Sequence, residues 1–370
     1  MAPIINNISE NQFGELTLTM TNVNVSIANA IRRTLLSDIP LLVFRTFPHD
    51  KNKVEFLTNT TRFNNEILKQ RISAVPVYIK DVDEFPTNDY EFIINKSNQT
   101  ANIEFVTSED FTIKDTKNSR ILDKSQAAAI FPKNNLTNSY IDIVRLRPKI
   151  SENMQGEELK IVGKLDVGTS KEDSNFNAVS TATYAFTPDP VKINEIWETK
   201  VLPEITSTHS KEEINKYKKN WNLLEAKRYY KENSFDFKIK SVCVFSNKEL
   251  LEKSCAILIK QLVAYSVIIK SGKIKINKGE NTLDNSYDIV MENMGYTIGK
   301  IIEHYMFKTY FQESDTLSFC GFNKEHPHYK DSILRIAFKL ETNDEIILSY
   351  LIDSCYLAIN EINEIMKQFQ

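Results

Sequence analysis

The chain has 370 residues, 41% of them hydrophobic, and its charges nearly cancel to a net −3. That length can bury two ordinary cores, so two or three domains are expected, and the faintly acidic balance argues against a dedicated nucleic-acid binder. Four scattered cysteines without a Cys-x-x-Cys pair support neither a zinc ribbon nor a disulfide framework, and nine glycines form no phosphate-binding loop.

Taken in order, Phe13–Met20 alternates Leu16, Leu18 and Met20 with polar neighbours, as a half-buried strand does. In Asn22–Pro40, Ile27, Ile31 and Leu35 recur four apart and predict an amphipathic helix, capped by Asn24 or Ser26 and ended by Pro40. Arg32 and Arg33 stand beside that stripe, with Asp38 near the end. Leu41–Phe47 is a second strand candidate. From about Pro48 to Asn175, short β-type runs alternate with Asn, Asp, Ser and Thr clusters, and one helix is predicted over Thr61–Ser73. This block reads as a mostly β insertion into the first domain.

Asn177–Phe186 resumes the alternation. Ile193–Glu232 is charged and aromatic, with Ile214, Tyr217, Trp221 and Leu224 at helical spacing. Interleaved lysines and tyrosines admit a single-strand-binding surface. A surface helix with its aromatic face on the core is the favoured reading.

An internal repeat follows. Phe235, Phe237 and Ile239 alternate, a capping box at Ser246–Glu249 opens a helix, and Leu251, Cys255, Leu258, Leu262 and Tyr265 form its stripe. Lys270–Lys273 reads as a basic linker. In the second copy Thr297 is the expected cap of a helix bearing Ile298, Ile301, Ile302 and Tyr305. Leu334–Leu340 alternates, Thr342–Glu345 is again a capping box, and Leu348, Ile352, Cys355, Ile359, Ile362, Met366 and Phe369 make the last stripe. Sustained four-three spacing means helices packed along their length.

No catalytic constellation is found. His326, His328 and Cys320 lack a fourth ligand of suitable spacing, Cys255 and Cys355 sit within apolar stripes, and no Asp-x-Asp cluster could hold magnesium. No cofactor or metal is expected. No run reaches membrane-spanning length and no leader is evident, so a soluble intracellular protein is expected.

Asn29-Ala30-Ile31-Arg32-Arg33 onward to Pro40 resembles the first dimerisation helix of the RNA polymerase alpha family, which includes bacterial alpha, its archaeal D-type counterpart and the third-largest component of the eukaryotic enzymes. Gly168–Asp173 resembles a loop of that third-largest component, and Asp189-Pro190 matches the end of the following strand. Tyr296–Ile301 and Gly321–Pro327 are similar to two elements of the eukaryotic eleventh subunit and its archaeal L-type counterpart. Two departures stand out: Lys80–Thr100 lacks the cysteine cluster common in third-subunit relatives, and Glu303 stands where eleventh-subunit relatives have arginine.

The resemblance implies an α+β fold of two alpha-like modules, each a small sheet with two helices, forming an intramolecular pseudo-dimer. The expected bounds are 1–47 with 176–269 for the first module, 48–175 for the insertion, 270–280 for a linker and 281–370 for the second module. It further implies a non-catalytic assembly platform of a DNA-dependent RNA polymerase. Arg32, Arg33 and the Lys171, Glu172, Asp173 loop would dock the second-largest subunit, and the second half would face the largest. The seam would comprise Ile27, Ile31, Leu35, Leu251, Cys255, Leu258, Leu262, Ile298, Ile302, Leu348, Ile352, Cys355, Ile359 and Ile362. A small zinc-bearing tenth-type subunit is a further implied partner, DNA is met only through the complex, and no homodimer forms through the bundle. Such fusions resemble those of large nucleocytoplasmic DNA viruses, which implies host cytoplasm and the virion as locations. A free-standing single-strand-binding protein is the competing expectation.

Overall fold

Strand Glu15–Thr21 turns Leu16, Leu18 and Met20 toward one buried face, the alternation that a sheet covered on one side imposes. In this computed structural model, which describes residues 2–151, 155–207, 210–279 and 282–369, the strand lies between Ile4–Glu10 and Tyr230–Ser241, antiparallel to both. Phe235, Phe237 and Ile239 continue the apolar face. Val179–Pro188 completes a four-stranded sheet whose strands, numbered along the chain, lie in the order first, second, fourth, third.

The same order recurs nearer the C-terminus. Lys275–Lys278, Ser286–Met291, Leu317–Asn323 and Ser332–Phe338 form a second antiparallel sheet, again first, second, fourth, third. In each half two strands precede a shorter helix (Val25–Ser37, Tyr296–Met306), and the other two precede a long one (Asn247–Lys270, Asp344–Met366). The strand-to-helix turns match in detail. Each has an asparagine with positive φ, Asn22 at 60° and Asn293 at 55°, two residues after a fully buried methionine, Met20 or Met291. Asparagine tolerates the left-handed region better than most residues.

Both halves belong to one compact unit, residues 1–35, 181–240 and 247–370; residues 36–180 and 241–246 form the other. In the first unit the two long helices pack along one another, and the Tyr296–Met306 helix packs against the last. Leu251, Cys255, Leu258 and Leu262 are wholly buried, as are Ile27, Ile31, Leu35 and Ile302; Ile298 is nearly so.

The last helix presents a different face from the expected stripe. Its buried residues are Ile347, Leu351, Ser354, Cys355, Ala358, Ile362 and Ile365, whereas Leu348, Ile352 and Ile359 are half-buried at its flank. The helix is apolar on adjacent faces, and the small side chains Ser354 and Ala358, invisible to a hydrophobic count, occupy the buried one. Its cap is also one residue later than expected: the Asn343 side chain accepts from the Ile346 N–H. Beyond this helix the Gln368 amide brackets the first strand, Oε1 accepting from the Ile5 N–H at 2.9 Å and Nε2 donating to the Pro3 carbonyl at 2.9 Å.

Two segments differ from expectation. The supposed linker holds a strand: Gly272 turns the chain at φ 67°, and Lys275–Lys278 then forms the edge of the second sheet. Its lysines, typical of an exposed edge, had looked like a solvated connection. Residues 190–207 and 210–229 build a small core around Trp197, Ile205, Trp221 and Ala226. The Lys211–Leu223 helix in it starts from a complete capping box at Ser210 and Glu213.

The second unit is built on a five-stranded antiparallel sheet, joined by two-stranded pairings of Leu41–Val43 with Asp166–Gly168 and of Glu104–Thr107 with Asp142–Leu146. Phe44, Phe92, Phe111 and Phe131 form its aromatic centre, the Phe111 and Phe131 rings stacked at 4.7 Å. Its helices are Asn65–Ser73, shorter than expected and capped by Asn64, and Lys124–Ile130, capped by Asp123.

Candidate subunit interface

The Val25–Ser37 helix forms where Asn24 Oδ1 accepts from the Ser26 N–H at 2.8 Å and the stripe at Ile27, Ile31 and Leu35 is driven inward. What remains outward decides what the helix can do. Arg32 is half-buried and folds back on its own helix, Nε and Nη2 both donating to Asn29 Oδ1. Arg33 is exposed, and its Nε donates to Thr297 Oγ1 at 3.1 Å. Thr297 is therefore a partner of the first helix and not the cap of its own; Gly295 holds the cap position without a side-chain bond. No spacing rule could have paired residues so distant in sequence.

The corresponding place in the second half is built differently. Glu303 is held internally, by Lys300 Nζ at 2.6 Å and by the Phe322 N–H at 3.1 Å. Gly299 lies so close to Phe322 that a Cβ there would fall 2.0 Å from the ring. Next to Glu303, His304 lies below its ordinary pKa because burial, then Lys308, disfavours its charge, with Glu303 opposing.

In the second unit the Gly168–Asp173 loop is organised by Arg45, itself only 6% exposed. Arg45 donates to Asp166 Oδ2 at 2.6 Å, the Val167 carbonyl at 2.7 Å and Glu172 Oε2 at 2.9 Å, and its guanidinium lies over the Phe176 ring. Burial works against the Arg45 charge, but hydrogen bonds to Glu172 and Asp166 outweigh it and raise the pKa. The hydrogen bond from Arg45 in turn holds the Glu172 carboxyl below its usual range against the cost of burial. Asp173 Oδ1 accepts from the Asn175 N–H. Of the three docking residues expected in this loop, then, Glu172 and Asp173 have internal partners, while Lys171 has an exposed side chain on a backbone anchored to the Ser37 carbonyl. The sequence missed Arg45, which is separated from the loop it orders by most of the insertion.

Among the described residues no His, Cys, Asp and Glu side chains gather as a metal site, and no helix is long and apolar enough to cross a membrane. Burial pushes the thiols of Cys255, Cys320 and Cys355 up to about 12, which leaves them protonated and poorly nucleophilic. Trp197 and Trp221 are buried against each other, 5.3 Å between rings, and offer no stacking platform to a nucleic acid.

Residues 17–262 match the family described as the RNA polymerase Rpb3/Rpb11 dimerisation domain. The chain is 25% identical over 176 residues to the DNA-directed RNA polymerase II subunit rpb3 of Dictyostelium discoideum, covering 46% of this chain and 53% of that protein. It is 25% identical over 199 residues to subunit 3B of the Arabidopsis thaliana DNA-directed RNA polymerases IV and V, covering 48% and 54%. With the RPAC1 subunit of Saccharomyces cerevisiae RNA polymerases I and III it shares 24% identity over 196 residues, covering 49% and 56%. The chain thus spans about half the length of the curated relatives it matches.

Proposed function

We propose that this chain, which belongs to the RNA polymerase Rpb3/Rpb11 dimerisation domain family, is a non-catalytic assembly platform of a multisubunit DNA-directed RNA polymerase. The observation that carries the reading is the repeated strand order of its two sheets, each followed by a long helix, with the two long helices packed together. Dimerisation domains of this kind work in pairs, and one chain holding two copies supplies the pair by itself. Fusion raises the effective concentration of one half at the other to the order of millimolar, so pairing within the chain outcompetes a homodimer through the bundle. In this reading the first half, with its insertion, stands for a third-largest subunit and the second half for an eleventh. A fused chain of that kind suits a large nucleocytoplasmic DNA virus, acting in the host cytoplasm and carried in the virion.

The first half would meet the second-largest subunit and the second half the largest, with a tenth-type zinc-bearing subunit alongside and DNA reached only through the complex. Arg33 is the residue most suited to the first contact. It is exposed, its guanidinium is placed by a hydrogen bond to Thr297, and a rigid helix holds its backbone. A guanidinium so placed suits a bidentate bond to a partner's carboxylate. Lys171 is the second candidate, carried on a loop that Glu172 and Asp173 would hold, whereas Arg32 is turned back onto Asn29.

Arg33→Glu tests the reading. It should cost at most about 1 kcal/mol of stability, as exposed charged contacts do, yet abolish capture of the second-largest subunit in co-purification from the native source. A mutant that enters the complex at full yield would remove Arg33 from the interface. Failure of the unmodified chain to bring down any polymerase subunit would remove the platform reading itself.

A further inference from the structure

The second unit contains a groove of about 540 Å³ with four arginines in its wall: Arg62, Arg71, Arg145 and Arg147. Arg147 is paired, its Nε held by the buried carboxylate of Glu157. Among the described residues the other three have no carboxylate partner. Arg71 donates to the Asp142 carbonyl at 2.6 Å and lies over the Phe63 ring, 5.6 Å from its centre. Arg145 lies over Phe105 at 5.1 Å, and exposed Arg62 makes no hydrogen bond, ion pair or ring contact with any described residue. A guanidinium stacked on a ring keeps its in-plane N–H edge for a bidentate acceptor and loses less freedom on binding. Between the arginines the wall is apolar, with Val144 and with Ile103 at 57% exposure.

We propose that this groove docks an extended acidic segment of a partner protein, with an apolar side chain seated between carboxylates that bridge to Arg62, Arg71 and Arg145. Charge complementarity points to an anion, and the apolar stretch selects its kind. A nucleic-acid strand asks for a continuous cationic track, whereas here Asp142 and Glu157 share the wall with the arginines and the whole chain is net −3. Alternating carboxylate and apolar side chains match that mixed lining. Such a segment would be held by the second unit alone, whatever the Val25–Ser37 helix binds.

The probe is a short synthetic peptide of alternating aspartate and phenylalanine, titrated into the full chain by fluorescence anisotropy, beside its asparagine analogue and a thymidylate oligomer of equal charge. The acidic peptide should bind and the amide analogue should not, with affinity falling as salt rises. Arg62→Ala and Arg145→Ala should each weaken binding about tenfold, as loss of a charge-assisted bidentate contact does. Arg62→Lys should recover only part of it. Because Arg62 is exposed and holds no other group in place, its removal leaves the fold intact. Equal binding of the amide analogue, affinity unchanged in both arginine variants, or no binding of the acidic peptide to the folded chain would each overturn the proposal. Tighter, arginine-dependent binding of the thymidylate oligomer would also overturn it, in favour of a nucleic acid.

Discussion

The two halves of the first unit share a strand order and the turn into the shorter helix, and differ in how the body of that helix is fixed. Counting from the matched methionines, Ala28 corresponds to Gly299, Arg32 to Glu303, Arg33 to His304 and Thr34 to Tyr305. In the first half a small alanine fills its place, and the arginines are turned along the surface. In the second half a glycine admits the Phe322 ring, Glu303 is locked inside, and the Tyr305 hydroxyl donates to Glu361 Oε2 at 2.6 Å. Topology therefore constrains where apolar mass is buried and little else. The outward positions, freed from that duty, hold the charge differences between the two halves.

The strongest test of that kinship is whether the halves stand or fall together. Leu258→Asp places an uncompensated charge in the wholly buried seam and should cost more than about 3 kcal/mol. Hydrogen exchange should quicken in Glu15–Thr21 and Ser286–Met291 alike; quickening in one sheet only would make the halves independent domains. Ile359→Asp, at the half-buried flank, should cost about 1 kcal/mol.

Next in size, Gly299→Ala should destabilise by about 1–3 kcal/mol through its collision with Phe322. Phe322→Leu should restore part of that in the double mutant, as coupled neighbours do. The matched change Ala28→Gly should cost about 1–2 kcal/mol, from helix propensity and the loss of a wholly buried methyl.

A smaller contrast lies one position on from the Arg33–His304 pair. Tyr305→Phe should cost about 1 kcal/mol in urea unfolding by stranding Glu361, whereas Thr34→Val should be neutral or stabilising, since the buried Thr34 hydroxyl has no hydrogen-bond partner among the described residues.

The smallest effect is one of pH. Because His304 sits below its ordinary 6.5, the unfolded chain takes up that proton first. Its contribution is complete above pH 6.5 and is lost as pH falls below it. Urea midpoints between about pH 7.5 and 5.5 should slope more steeply for the native chain than for His304→Leu.

The sequence disclosed those elements whose burial is periodic. Ile27, Ile31 and Leu35 declared the first helix, and Leu251 to Leu262 the long one, because each puts apolar residues on one face and polar residues on the other. Strand Ile4–Glu10 escaped notice, being an edge with no buried side chain, Ile4 and Ile8 both exposed. Lys124–Ile130 was missed for the same reason: no residue in it is buried. The last helix was found but turned, since two adjacent faces are apolar and only packing chooses between them. The candidate interface was legible as residue types and not as geometry. Arg33 stood out, but its hold on Thr297, like that of Arg45 on Glu172, joins positions that no local rule connects.

The Gln368 amide, bracketing Pro3 and Ile5, gives the repeat a circular character. With the first strand stapled to the end of the last helix, the two halves follow one another around a ring that is covalent at the Gly272 turn and hydrogen-bonded at the clasp. A permuted gene, bridged across the clasp and reopened at Gly272, would translate the second half first and still specify the same two sheets.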